Sequence, residues 1–95
     1  MTEDEPQSPK FLLGRLMVTR NALDQIPTDE ILTAITRHER GDWGELDQED
    51  LAANENSLKH GGRLVSRYTS TADLPFYIIT EWNRRVTTVL LPEDY

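Results

Sequence analysis

LKHGGRLVSRY, residues 58–68, is where the chain changes its periodicity, and the fold turns on how this stretch is read. Gly61 and Gly62 stop a helix, because residues without a Cβ take the backbone conformations that end one. Beyond them RLVSRY alternates in polarity, FYIIT (76–80) is a short β-rich run, and RVTTVLL (85–91) is rich in β-branched side chains. TSTADLP (69–75) and EWNR (81–84) separate these runs as turn signals, so the three predict an antiparallel meander.

Upstream of the glycines the period is helical. Asp47 stands as an N-cap with Asp50 three residues on, and Leu46 and Leu51 are placed as a hydrophobic staple, predicting a helix over residues 48–60. Its inward stripe is Leu51, Asn54 or Glu55, and Leu58. A buried Asn must find hydrogen-bond partners, so Asn54 is either a structural tie or part of a site. Before this helix, Thr28 is placed to cap a longer one, with Asp29 and Glu30 at the positive end of its dipole, Ile31, Leu32 and Ile35 as its buried stripe, and Gly41 as its stop. Arg37, His38 and Arg40 then fall in the last turn, where cations are favoured. NALDQI (21–26) offers Asn21 as the cap of one or two helical turns closed by Pro27.

FLLGRLMVT (11–19) contains the first strand, over residues 15–19, with Leu16 and Val18 on one face and Met17 on the other. The predicted order is β-α-α-α-β-β-β. This is an α+β fold, a small antiparallel sheet covered on one face by helices. It occupies residues 11–95 as a single domain, and residues 1–10, MTEDEPQSPK, read as a flexible acidic arm. The first or last strand lies at a sheet edge, and an exposed edge is a route to a homodimer.

The chain has 95 residues, no cysteine and a formal net charge of −7. That length makes one domain with a modest core. The missing cysteine excludes disulfides, thiolate metal sites and cysteine nucleophiles. No apolar run approaches the roughly 20 residues that span a bilayer, and the amino terminus is acidic where a secretory signal is basic, so a cytoplasmic location is expected. The charge disfavours direct binding to nucleic acid or an anionic membrane and favours a basic protein partner.

Catalytic spacing is sparse. His38 and His60 belong to no HxxxH or HxH pair, DWGELDQED (42–50) lacks the spacing of a calcium loop, and no GxSxG elbow or phosphate-binding glycine loop is present. No metal and no cofactor is expected. The enzyme reading that survives is a small metal-independent ribonuclease or phosphodiesterase with His60, Arg63 and Glu81 as its catalytic set, and His38, Tyr68 and Arg85 as further candidates. Each has a structural alternative: His60 and Arg63 flank a glycine cap, Tyr68 and Glu81 form a cross-strand pair, and Arg85 answers Glu81 across a hairpin. Convergence of His38, Trp43, Asn54, His60, Arg63, Tyr68 and Glu81 in one pocket favours catalysis. Separate satisfaction favours the structural reading of these residues.

The acids Glu39, Asp42, Glu45, Asp47, Glu49, Asp50 and Glu55 stand against Arg40 alone in the stretch they span. Part of this charge caps helices, and the rest is a candidate surface. Trp43, between two glycines, packs over the core or stands out as an anchor; Trp82 sits on a predicted turn beside Arg84 and Arg85. The candidate binding residues are therefore Trp43, Glu45, Glu49, Asp50, Trp82 and Arg84.

GDWG (41–44), EDLAAN (49–54), HGGRLVSRY (60–68), YIITE (77–81) and TTVLLPEDY (87–95), taken in order, resemble a family of small bacterial plasmid-related proteins carried on plasmids and integrated mobile elements. The resemblance covers about residues 12–95. Some relatives bear the label of a type I restriction-modification M subunit, yet this chain is too short for a methyltransferase domain and has no glycine-rich cofactor loop. Relatives read approximately ITEADRS where this chain has ITEWNRR, so Trp82 and Asn83 replace a small residue and an acid. The resemblance implies a mobile-element setting and no mechanism. Together with the charge it leads to the expectation of a noncatalytic accessory or regulatory protein-binding module, including an acidic inhibitor that occupies the DNA-binding surface of a host restriction or CRISPR enzyme.

Overall fold

The computed structural model describes residues 8–95. Its elements are β1 (Arg15–Val18), α1 (Arg20–Gln25), α2 (Thr28–Glu39), α3 (Gln48–His60), β2 (Leu64–Thr69), β3 (Pro75–Thr80), β4 (Val86–Leu90) and a final 3-10 turn (Pro92–Asp94). The order is the expected β-α-α-α-β-β-β, and the class is α+β. The last three strands pair antiparallel as a meander, β1 joins β4 in parallel, and the sheet order is β1-β4-β3-β2.

Alternation decides which side chains meet the helices. Leu64, Ser66 and Tyr68 of β2 are buried while Val65 and Arg67 between them are half-buried. Across the sheet these align with Phe76, Ile78 and Thr80, and then with Val89 and Thr87. Tyr68, Phe76, Ile78 and Val89 join Ala22, Ile26, Ile31, Ala34, Ile35 and Leu91 in the principal core cluster. On the opposite face Tyr77 packs beside Tyr95, and Tyr95 Oη accepts from Arg63 at 2.7 Å, so the carboxyl-terminal residue returns to the outer side of the sheet.

Several local expectations change. The first helix is capped by Thr19, not Asn21: Thr19 is still extended, and its hydroxyl accepts from Ala22 N at 3.1 Å. The strand runs straight into the helix, which leaves no linker for a later cap and frees Asn21 to bond Asp94 and Gln25. Leu32 is 58% exposed, so the inward stripe of α2 is Ile31, Ala34, Ile35 and His38. The α3 start is as expected, with Asp47 accepting from Asp50 N at 2.8 Å. The arm expected over residues 1–10 lies mainly outside the described residues; at its end Lys10 donates to Glu39 O at 2.7 Å, so the fold already holds the backbone there. Among the described residues no helix is long and apolar enough to cross a membrane.

The two edges of the sheet are finished differently. At β2, the Asn54 side chain takes both backbone groups of Val65, donating to its O at 2.8 Å and accepting from its N at 3.1 Å. The next outward residue is held by the α2–α3 loop: Arg67 N donates to Trp43 O at 3.1 Å and Glu45 N to Arg67 O at 2.7 Å. Gly44 is required between them. Its φ is +78° and an added Cβ would collide with Arg67 O. At β1, Arg15 N bonds Arg85 O (2.8 Å) and Thr19 N bonds Val89 O (3.0 Å), so alternation turns the N–H and C=O of Leu16 and Val18 away from the sheet. Among the described residues nothing pairs with them.

Candidate functional site

Beneath the sheet, α2 inserts His38 into a line of hydroxyls. Its Nδ1 is 2.5 Å from Ser66 Oγ and its Nε2 is 2.9 Å from Thr80 Oγ1; Thr80 Oγ1 is 2.7 Å from Thr87 Oγ1, which donates to Leu13 O at 2.7 Å. Counting hydrogens assigns the direction. Thr87 has spent its proton on Leu13, so it accepts from Thr80; Thr80 therefore accepts from His38 Nε2–H, and the bare Nδ1 accepts from Ser66. His38 is thus a neutral imidazole in one tautomer. Burial, with a further contribution from the Arg84 charge, pushes its pKa down to about 3. The cation expected at the end of α2 is absent at His38, because a fully buried ring loses more by desolvation than the helix dipole returns.

A serine against a histidine is the geometry of an activated nucleophile, and here access decides against it. His38, Ser66, Thr80 and Thr87 have no exposed surface. Phe11 and Trp43 close the end of the line, with ring centroids 5.2 Å and 5.7 Å from His38. Trp43 is 4% exposed and donates its indole N–H to Glu55 at 3.0 Å, so the residue expected as a binding anchor is a lid over the core. A surface groove of about 230 Å³ lies between α2 and the β2–β3 turn, lined by Asp29, Glu30, Arg37, Tyr68, Thr71 and others; neither His38 nor Ser66 reaches it.

Two of the groove's charges, Arg37 and Glu30, are already matched. Arg37 forks onto Asp42 through Nε (2.7 Å) and Nη2 (3.1 Å), and its guanidinium lies 4.7 Å over the Tyr68 ring. That hydrogen bond holds the Asp42 carboxyl below its usual range. Glu30 receives both the hydroxyl and the backbone N–H of Thr71, which lower its pKa likewise. Tyr68 donates to Asp42 O at 2.6 Å, and burial pushes its pKa up to about 12.

Of the proposed catalytic set, the structure brings Arg63 and Glu81 to 3.7 Å as an ion pair between half-exposed side chains. His60 is exposed in the last turn of α3 and, among the described residues, makes no hydrogen bond or ion pair with either. Tyr68 pairs with Phe76, not with Glu81, and Glu81 is answered by Arg63 rather than Arg85. Asn54 is the structural tie at β2. The seven residues whose convergence would favour catalysis do not share one pocket: His38 and Trp43 touch in the core, Arg63 and Glu81 pair at the surface, Asn54 ties β2, Tyr68 lines the groove and His60 stands apart.

The expected binding residues divide similarly. Arg84 does not present its charge outward: it takes a positive φ of 60° and donates to Gly62 O, Glu81 O and Ser57 O, closing the α3 terminus onto the β3–β4 turn. Glu45 is committed to Arg67 (3.1 Å) and Thr69 (2.7 Å). Glu49 and Asp50 remain exposed on the first turn of α3. Trp82 is 69% exposed at the tip of a turn whose backbone is fixed by Arg84 and by Asn83, which accepts from Arg85 N at 3.1 Å. Ser66, Thr80 and Thr87, absent from the expected set, were detectable as the polar members of inward-facing positions on alternating strands. Among the described residues no cluster of His, Asp and Glu is arranged to hold a metal ion. No family model, curated protein or solved structure matches the chain.

Proposed function

We propose that this chain is a noncatalytic protein-binding module, acting as an accessory or regulatory protein of a mobile element. The observation that carries the reading is the contrast between its polar groups and its aromatic tip. His38 and Tyr68 are buried, Arg63 and Glu81 pair with each other and His60 stands apart from them, whereas Trp82 projects from a turn whose backbone is held by side-chain hydrogen bonds. A large apolar ring presented on a backbone already held in place supports an anchor role, since less backbone freedom is lost on docking.

Glu49 and Asp50 add a negative patch at a helix start, and a basic partner surface is the class it fits. The nucleic-acid cleft of a host restriction or CRISPR enzyme is such a surface. The test begins with proteins captured from a bacterial host by the wild-type chain and continues with titration of the purified partner. Trp82→Ala, and Glu49→Lys with Asp50→Lys, are each expected to weaken binding at least about tenfold with the fold intact. Full affinity in both variants, or cleavage of mixed RNA that His60→Ala abolishes, would overturn the reading.

A further inference from the structure

The open edge of β1 has a complementary partner in the molecule itself. Among the described residues the N–H and C=O groups of Leu16 and Val18 have no partner, and Leu16 and Met17 are each 46% exposed beside them. Charge is distributed unequally along the edge. At its start stand Arg15 and Arg85, with the Arg15 backbone N–H bound to Arg85 O. At its end stands Asp94, which accepts from the Thr19 hydroxyl at 2.7 Å and from Asn21 Nδ2 at 3.2 Å. One end of β1 thus carries two arginines, and the other carries the Asp94 carboxylate beside Thr19, with Arg20 opening α1 next to it.

We infer that two copies pair antiparallel through β1, about a two-fold axis at Met17, into one continuous sheet. The register follows from which groups point outward. Leu16 of one copy faces Val18 of the other in a hydrogen-bonded pair, and Met17 faces Met17 across the axis in a non-hydrogen-bonded pair, where side chains are closest. Arg15 then lies opposite Thr19, on the same face, and meets the Asp94 carboxylate that Thr19 holds. The symmetry forms this ion pair twice. Head-to-head alignment in the parallel sense would instead set Arg15 against Arg15, so the charges select the direction as well as the partner.

The seam is short, and interfaces of this size give weak, concentration-dependent dimers. This inference goes beyond the partner-binding reading and does not depend on it. Sedimentation velocity over a roughly hundredfold range of concentration is expected to show monomer giving way to dimer. Arg15→Glu alone and Asp94→Lys alone each place like charges at both seams, and each is expected to weaken association at least about tenfold. An equimolar mixture of the two recovers it, because one seam keeps the original ion pair and the other carries it with the signs exchanged. Since the chain has no cysteine, Met17→Cys gives a clean second readout. Oxidation is expected to join two chains through it, whereas Leu12→Cys, more exposed at 78% but outside the paired strand, stays unlinked. The inference is overturned by wild-type protein that remains monomeric throughout, by a mixture no better associated than either variant, or by a dimer that Met17→Cys fails to lock.

Discussion

The β2 and β1 edges of this sheet pose the same physical problem and receive opposite treatment. Unpaired N–H and C=O groups along a strand invite another strand to join. At β2 the chain answers with its own atoms, using Asn54 on α3 for Val65 and the Trp43–Glu45 backbone for Arg67. At β1 nothing comparable covers Leu16 and Val18 among the described residues. A molecule that commits a buried asparagine, a glycine at a positive φ and a tryptophan lid to one edge does not lack the means to close an edge. The difference teaches that the β1 side is left as surface, while the β2 side belongs to the core.

Breaking the covered side should therefore be costly. The largest effect is expected for Trp43→Ala, which removes the lid over His38 and the anchor of the covering loop; a loss of about 4 kcal/mol in denaturant unfolding is predicted. Asn54→Ala leaves the Val65 N–H and C=O without partners and is expected to cost about 3 kcal/mol. Retention of wild-type stability by Asn54→Ala would mean that water substitutes for the amide and that the edge is not sealed.

Acid probes the same side through His38. Its pKa is about 3 when folded, against 6.5 for a free histidine side chain, so the unfolded chain takes up a proton that the folded chain refuses. Stability is full above pH 6.5 and is lost as pH falls toward 3. Between pH 6 and 4.5 the loss from this residue is expected to be about 2 kcal/mol. The carboxylates of Glu30, Asp42 and Asp94, all held low by hydrogen bonds, add their losses in the same direction only at lower pH. His38→Gln should flatten the upper window in urea titrations; an unchanged slope would show that another group titrates there.

The smallest effect is expected at the open edge. Leu16→Lys changes an exposed side chain whose backbone N–H serves no bond among the described residues, so unfolding free energy should move by less than about 0.5 kcal/mol. A loss comparable to that of Asn54→Ala would make the two edges equivalent and remove the contrast.

The parts of this arrangement that sequence reveals are those set by local chemistry. Asp47 and Asp50 announce the α3 start three residues apart, the double glycine marks the passage from helix to strand, and alternation identifies the meander. Asn54 stands out because a polar residue falls on an inward stripe. The rest depends on partners distant in the chain. His38 looks like a last-turn cation until Ser66 and Thr80 are known to flank it. Arg84 looks like part of an exposed docking point until Ser57 O and Gly62 O are seen to receive it. Thr19 takes the cap from Asn21 because β1 runs into α1 without a linker, the Thr19 N–H still bonding Val89 O while its hydroxyl caps the helix. At the site level Trp82 and the Glu49–Asp50 pair remain where the sequence put them, while Trp43, Glu45 and Arg84 are drawn into structural ties.

Amide hydrogen exchange compares the two edges residue by residue in a single experiment. In dilute protein the Leu16 and Val18 amides should exchange rapidly, while those of Val65 and Arg67 remain protected to the level of global unfolding. Raising the concentration should slow exchange at Leu16 and Val18 alone. Equal protection of all four amides in dilute protein, or rapid exchange at Val65 and Arg67, would contradict the account.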